Sequence, residues 1–241
     1  MKFDVIFSPV EIAALRTRDL SETTAVVFDI LRATSSMITG FAHAAQEILP
    51  AETIEEAHAL KAKHPDALLG GERGGVRIAG FDLGNSPLEY REKVAGRRII
   101  TTTTNGTLAL RACDQAREVL AAAFLNLAAT AAYLQRARPA QVLAVCAGTG
   151  KEAALEDLLA AGALAEALSE AGPLEMTDAA QAALALYAQF RGRLLAGFQL
   201  AKNGRALLAS GFAEDVPWCA QVSVYSLVAP LKNGALRHLW I

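Results

Sequence analysis

The sequence predicts an α/β fold, layered α/β/α, with a mostly covered mixed sheet and an antiparallel C-terminal edge. Three observations lead there. Short apolar runs rich in β-branched residues alternate with helical patterns along most of the chain. Hydrophobic residues make up 53% of the 241 positions, enough to bury a substantial core. The tail VSVYSLVAPLKNGALRHLWI reads as a strand, a Lys-Asn-Gly turn and a second short strand. One compact unit over residues 1–241 is expected. The candidate boundary at 125–140 would separate two intimately packed lobes, because the Ala-rich segments there read as packed and not as a linker.

Residues 2–7 alternate as a first strand, and TTAVVFDI (23–30) is a β-branched run ending on an aspartate, the composition of a buried strand. LRATSSMITGFAHAA reads as a loop running into a helix, and 46–49 as a short strand. TIEEAHALKAKHP carries a Thr-x-x-Glu capping box at Thr53 and Glu56 and stops at Pro65. DALLG (66–70) is a further strand candidate, and GERGGVRIAGFDLGNSPLE follows it directly. RRIITT (97–102) reads as a strand and NGTLALRAC as a helix beginning beside Asn105. At 117–123 propensity does not separate a strand from a helix end. A helix is expected from Asn126 to Arg138, stopped by Pro139, and QVLAVCAG (141–148) is the clearest later strand. KEAALEDLLAAGALAEALSE reads as helical with a break near Gly162, and 176–197 as one helix or two.

Charged residues make up 20% and nearly cancel, for a formal net charge of -2, so nothing steers the molecule toward nucleic acid or an anionic bilayer. The alanine-rich stretches break before the roughly 20 apolar residues that a membrane span needs, and MKFDVIFSP is too short an apolar run for a signal peptide. A cytoplasmic protein with no membrane or nucleic-acid partner is expected. Cys113, Cys146 and Cys219 form neither a paired framework nor a CxxC, which reads as free thiols in a reducing compartment. His43, His58, His64 and His238 show no metal-ligand spacing.

In α/β folds ligands collect beyond the carboxyl ends of strands. After the second strand come Asp29, Arg32, Thr34, Ser35 and Ser36; after DALLG come GERGG and then GFDLGNSP; after RRIITT comes TTNGT; after QVLAVCAG comes a Gly-Thr-Gly step before Glu152, Glu156 and Asp157. The small residues from Thr103 to Thr107 can offer N–H groups and hydroxyls to an anion. Gly74 and Gly75 let backbone approach a ligand. Arg32 and Arg73 supply forked donors suited to phosphate, sulfonate or carboxylate. Asp29, Glu72 and Asp82 offer oxygen ligands to a hard cation such as magnesium.

Each reading has a plainer competitor. GERGG taken alone solves turn geometry as readily as it binds anything. Asp29 at a strand end can cap the next helix, and TTTTNGT lacks the lysine and spacing of a Walker loop. Cys146, ending an apolar strand, is a buried structural cysteine at least as readily as a nucleophile. The functional reading gains because several such stretches fall together where strands should end.

Taken in order, VVFDILRATSS, LLGGERGG, GFDLGNSP, TTTTNGT, VCAGTG with ALEDLLAAG, and GFAEDVPWCA resemble the 2-phosphosulfolactate phosphatase family, from the first strand to the last dozen residues. The resemblance implies a homo-oligomeric α/β enzyme of unusual topology that uses Mg2+. Its substrate is a small anionic phosphate ester, hydrolysed to sulfolactate and inorganic phosphate, in some organisms for coenzyme M biosynthesis. By motif it implies active-site positions at Asp29, Arg32, Thr34 and Ser35, then Glu72, Arg73, Gly74 and Gly75, then Asp82, Asn85 and Ser86, then Asn105, Gly106 and Thr107. Glu156, Asp157 and Asp215 match acidic positions later on. Magnesium would rest on Asp29 and Glu72 with Asp82 or Asp157, while Arg32, Arg73 and the loop from Asn105 to Thr107 would hold the phosphoryl oxygens; one arginine and the Asn85-Ser86 pair stay open to reading the carboxylate and sulfonate instead. A phosphoenzyme through Asp29 or Cys146 stays open, as do a broader phosphatase for 2-hydroxy-acid phosphates and a non-catalytic dianion-binding protein. Ser223 and Ser226 stand in the tail where an aspartate would be unsurprising.

Overall fold

The computed structural model describes residues 1–241. The strands are β1 (Lys2–Ile6), β2 (Thr23–Phe28), β3 (Glu47–Pro50), β4 (Leu68–Arg73), β5 (Val76–Arg77), β6 (Arg98–Thr102), β7 (Glu118–Ala122), β8 (Gln141–Cys146), β9 (Glu175–Met176), β10 (Leu227–Lys232), β11 (Ala235–Leu236) and β12 (Leu239–Trp240). The helices are α1 (Pro9–Leu15), α2 (Ala33–Ala42), α3 (Ile54–Lys63), α4 (Glu89–Glu92), α5 (Gly106–Ala112), α6 (Leu127–Ala137), α7 (Leu155–Ser169), α8 (Asp178–Phe190), α9 (Leu194–Leu200), α10 (Lys202–Leu208) and α11 (Asp215–Cys219). None is long and apolar enough to cross a membrane.

All twelve strands join one mixed sheet in the order β5-β4-β6-β3-β11-β10-β7-β2-β8-β1-β9, with β12 paired to β10 off that path. β2 is buried at every position between β7 and β8, which is what its unbroken β-branched run requires. The ambiguous stretch at 117–123 is a strand, because β7 finds a parallel partner in β2 and an antiparallel one in β10. Antiparallel β5 gives the sheet an antiparallel edge, and the C-terminal strands pair antiparallel as expected. The hairpin of β10 and β11 lies inside the sheet, where it joins two parallel sets, β4-β6-β3 and β7-β2-β8-β1-β9. Its turn is Asn233-Gly234, both at positive φ, as a two-residue hairpin turn demands.

Three antiparallel steps separate the two sets, so they run in opposite directions along the sheet. In a flat sheet β6 and β8 would lie six spacings apart, about 29 Å at roughly 4.8 Å each. Yet Asn105, just past β6, donates from Nδ2 to the carbonyl of Ala147, just past β8, at 2.9 Å. The sheet must therefore curl. Ordinary strand twist, summing to roughly 120–150° over six steps, is enough to turn β6 back toward the direction of β8. The curl encloses α2, which buries nine of its ten residues.

GERGG is not a free loop. β4 runs through Glu72 and Arg73, and Gly74-Gly75, at φ 60° and 82°, turn the chain into β5. The Thr53 cap forms, with Oγ1 accepting from Glu56 N–H at 3.1 Å, while the Glu56 carboxylate reaches past it to the Glu52 N–H. Helix α6 starts at Leu127 after a 3-10 turn over Phe124–Asn126 and closes on Arg138 at positive φ, before Pro139. Residues 176–197 split into β9, α8 and α9.

The break expected near Gly162 is absent, and α7 is continuous from Leu155 to Ser169. Gly162 serves packing instead: a Cβ there would lie 2.1 Å from the Ala183 carbonyl of α8. An exposed helical glycine replaced by alanine would gain about 1 kcal/mol of helix propensity. Gly162→Ala should do the opposite, since overpacking costs about 1–3 kcal/mol. A loss of about 2–10 °C in Tm follows at this chain length. A Tm that rises would show that α7 and α8 do not pack this closely.

Candidate active site

Asp29 ends β2 at the amino end of α2. Its Oδ1 accepts from the Ala33 N–H at 3.0 Å, and its own N–H and carbonyl are both engaged by Thr34 Oγ1 at 3.0 Å. The other oxygen, Oδ2, faces Gly106, where a Cβ would come within 2.5 Å. Glycine at 106 is thus what lets the loop after β6 close against Asp29. Burial pushes the Asp29 carboxyl up to about 7; the Glu72 and Glu156 charges add to this, and the Ala33 and Gly106 N–H groups oppose it.

Glu72 reaches the same space from β4. Its Oε1 accepts from the N–H (2.8 Å) and Oγ1 (2.9 Å) of Thr104, and Oε2 from the N–H of Gly75 (2.7 Å). These are N–H groups of the kind expected to bind an anion, and here the anion they hold is a side chain of the protein. Arg32 lies over the Phe212 ring, 4.3 Å from its centroid. It pairs with Asp215 at 2.6 Å and donates to the Gly75 carbonyl at 3.1 Å. The Arg32 and Asp215 side chains are only 3% and 1% exposed, and the second Asp215 oxygen takes Ser86 Oγ at 2.6 Å. Such a pair is fixed in place because parting it would strand a buried charge.

The loop after β8 is held from below. Asp157 accepts from Ile30 N–H at 2.8 Å and from Gly148 N–H at 2.9 Å, joining the ends of β2 and β8. Burial raises its carboxyl well above the usual range, with the Glu156 and Asp29 charges adding to it. Glu156 is raised as well, chiefly by burial; Oε1 accepts from Asn203 Nδ2 at 2.6 Å, and the buried Oε2 has no partner. Asn105 bridges the loops after β6 and β8, donating to Ala147 and Gly150 carbonyls and accepting from the Gly150 N–H.

A cleft of about 330 Å3 results. Asp29, Arg32, Glu72, Gly74, Gly75, Asn85 and Asn105 line it, as do Thr104, Thr149, Lys202 and Asn203. No three Asp, Glu, His or Cys side chains come close enough to form a metal cage by themselves.

Several expected site residues stand elsewhere. Arg73 follows Glu72 on a strand, so it takes the opposite face, where it bonds Thr102 and does not reach the cleft. Asp82 is exposed and accepts from the Leu69 N–H at 2.8 Å, outside the cleft; the turn before it aims the carboxylate at the β4 backbone. Asp157 does not line the cleft, and each of its oxygens accepts from a backbone N–H. Thr34, Ser35 and Thr107 spend their hydroxyls on local backbone, at Asp29, Ile30 and Thr103 respectively. Ser86 supports Asp215. Cys146 is fully buried in β8, where burial drives its thiol well up, and it does not touch the cleft.

Lys202 and Asn203 were not anticipated. They begin α10, and the only local signal was a Lys-Asn-Gly step in an Ala- and Leu-rich region. Asn203 Nδ2 reaches both Glu156 (2.6 Å) and Thr149 Oγ1 (2.7 Å), which pins α10 over the loop after β8.

The family model described as 2-phosphosulpholactate phosphatase matches residues 10–234. The chain is 40% identical over 228 residues to a probable 2-phosphosulfolactate phosphatase of Caldanaerobacter subterraneus subsp. tengcongensis, covering 93% of this chain and 94% of that protein. It is 42% identical over 225 residues to one from Deinococcus radiodurans, covering 89% and 92%. A third, from Thermotoga maritima, is 37% identical over 232 residues and covers 96% of each. The matched region contains every loop that lines the cleft, and the chain belongs to the 2-phosphosulfolactate phosphatase family.

Proposed function

We propose that this chain is a magnesium-dependent phosphatase that hydrolyses 2-phosphosulfolactate to sulfolactate and inorganic phosphate. Family membership makes it a phosphoric monoester hydrolase. The observation that carries the finer reading is the pairing of two cleft-facing carboxylates, Asp29 and Glu72, with a buried, pre-oriented Arg32.

The residues fit magnesium. That ion usually takes one or two protein carboxylates and fills its remaining positions with water and substrate phosphate, so a three-carboxylate cage is not required. Asp29 and Glu72 supply the hard oxygens, and the Asp29 carboxyl, raised chiefly by burial and further by the Glu72 and Glu156 charges, is one whose ionised form a cation would favour. Glu156 Oε2, buried and unpartnered, marks a further demand for positive charge or a proton close by. Bound there, magnesium would polarise the phosphoryl group and offset its charge.

The protein's own groups divide the remaining work. Arg32 uses two of its N–H groups on Asp215 and Gly75 and keeps the others for phosphoryl or carboxylate oxygens. Asn85 lines the cleft, and Ser36 Oγ donates to its backbone carbonyl at 2.8 Å. Asp29 Oδ1 is held by the Ala33 N–H, which fixes the direction of the carboxylate, and with magnesium bound Asp29 would stay ionised as one of its ligands. Glu72, fixed by three donors, keeps its charge in one place. The three free, buried cysteines suit a reducing compartment, and we place the protein in the cytoplasm on that ground.

Three measurements test this reading. Phosphate release from 2-phosphosulfolactate should require magnesium, stop on chelation, and exceed release from phospholactate; equal rates on both would favour the broader 2-hydroxy-acid phosphatase. Glu72→Gln should lower kcat by about 100- to 1,000-fold with Tm nearly unchanged, and full activity would remove Glu72 from the chemistry. The metal-free protein should also lose stability as pH rises. Asp29 binds a proton in the folded state up to about 7, whereas the unfolded carboxyl releases it near 3.9. Folding is therefore favoured below that window and disfavoured above it. The difference in urea midpoint between wild type and Asp29→Asn should grow from pH 5 to pH 8 in chelator, to the disadvantage of wild type, and magnesium at pH 8 should close it. A difference that is constant with pH counts against a raised carboxyl at Asp29.

A further inference from the structure

The cleft holds only two cationic side chains, Arg32 and Lys202, and they differ in kind. Arg32 is buried, planar and locked by Asp215, Gly75 and the Phe212 ring. Lys202 stands at the rim with its side chain 66% exposed, paired at 2.7 Å with Glu152, itself 68% exposed. The backbone beneath Lys202 is nonetheless fixed. Asn203 bonds Glu156 and Thr149, and Gly204 packs so tightly on α9 that a Cβ would lie 1.7 Å from the Phe198 carbonyl. A mobile cation on a fixed mount thus overhangs the cleft.

We propose that Lys202 reads the sulfonate of the substrate and sets the preference for the sulfonated ester over its unsulfonated counterpart. The assignment rests on the reading of the substrate given above. In 2-phosphosulfolactate the phosphate ester and the carboxylate share one carbon, and the sulfonate is carried on the next. With the phosphate at the buried end beside Asp29, Glu72 and Arg32, the sulfonate is the group directed to the rim. A sulfonate spreads its charge over three equivalent oxygens, which matches a rotatable ammonium better than a planar fork; the carboxylate suits the fork of Arg32. An exposed ion pair such as Lys202 with Glu152 is weak, so a sulfonate can replace Glu152 at little cost. Glu152 then acts as a competitor that keeps Lys202 engaged when the cleft is empty.

Binding of sulfolactate and of lactate, followed by calorimetry, and turnover of 2-phosphosulfolactate and phospholactate with magnesium test this in wild type, Lys202→Ala, Lys202→Arg and Glu152→Gln. Lys202→Ala should weaken sulfolactate binding and raise KM for the sulfonated ester by about tenfold. Its kcat on that ester should stay within about threefold, because the contact lies away from the reacting atoms. The preference over phospholactate should narrow by the same tenfold; Lys202→Arg should recover most of it, and Glu152→Gln should tighten sulfolactate binding. An unchanged preference in Lys202→Ala overturns the assignment, as does an equal loss on both esters. Wild-type protein that binds sulfolactate through Lys202 yet releases no phosphate would sink the hydrolase reading and leave the role of Lys202 standing.

Discussion

Asp157 joins the ends of two neighbouring parallel strands with a single carboxylate, and the rest of the cleft depends on that junction. One oxygen takes the N–H of Ile30, beyond β2, and the other the N–H of Gly148, beyond β8. The first bond fixes the residue after Asp29, so the direction of the Asp29 side chain follows from it. The second fixes the loop that carries Thr149 and Gly150, against which Asn105 and Asn203 close. A buried carboxyl is unfavourable unless its oxygens are occupied, and two backbone donors meet that need while satisfying N–H groups that have no strand partner. Asp157 is thus structural in its contacts and functional in its consequence.

The curl of the sheet is the second constraint. β2 and β8 belong to one parallel set, β4 and β6 to the other, and the cleft exists only because the two sets are brought round to face each other. The C-terminal hairpin makes this possible by sitting between them, so the last residues of the chain hold together loops that come from its first half. Asp215, from α11, completes the same long-range closure by gripping Arg32 from the β2 loop and Ser86 from the segment after β5.

Much of this was legible in the sequence because the signals are local. The buried run of β2, the Thr53 cap, the Asn233-Gly234 turn and the clustering of polar residues at strand ends each follow from periodicity or turn chemistry. The remainder depends on which face a strand presents or which distant segment arrives. Glu72 and Arg73 are adjacent and equally polar, and only the register of β4 sends one to the cleft and the other to Thr102. Asp82 looks like Asp29 in sequence, but its neighbour in space is the Leu69 N–H. Gly162 reads as a helix breaker until the Ala183 carbonyl is placed beside it. Lys202 has no motif at all; its importance comes from Asn203, one residue on, reaching a loop some fifty positions earlier.

The balance of charge in the cleft links these particulars to chemistry. Each cation already has a counter-ion of its own: Asp215 for Arg32 and Glu152 for Lys202. Asp29 and Glu72 have none, since the partners of Glu72 are neutral N–H and hydroxyl groups. Left to itself the cleft is therefore acidic, while the substrate proposed for it carries a phosphate, a carboxylate and a sulfonate. Two like-charged bodies do not associate tightly in a partly desolvated space. Either protons or a cation must accompany the substrate, and a proton at Asp29 offsets a single charge. A divalent ion held by Asp29 and Glu72 would remove the conflict at the buried end, and release of Lys202 from Glu152 would remove it at the rim. The acidity of the empty cleft thus favours ligands that bring a cation with them and reach far enough to engage the second one.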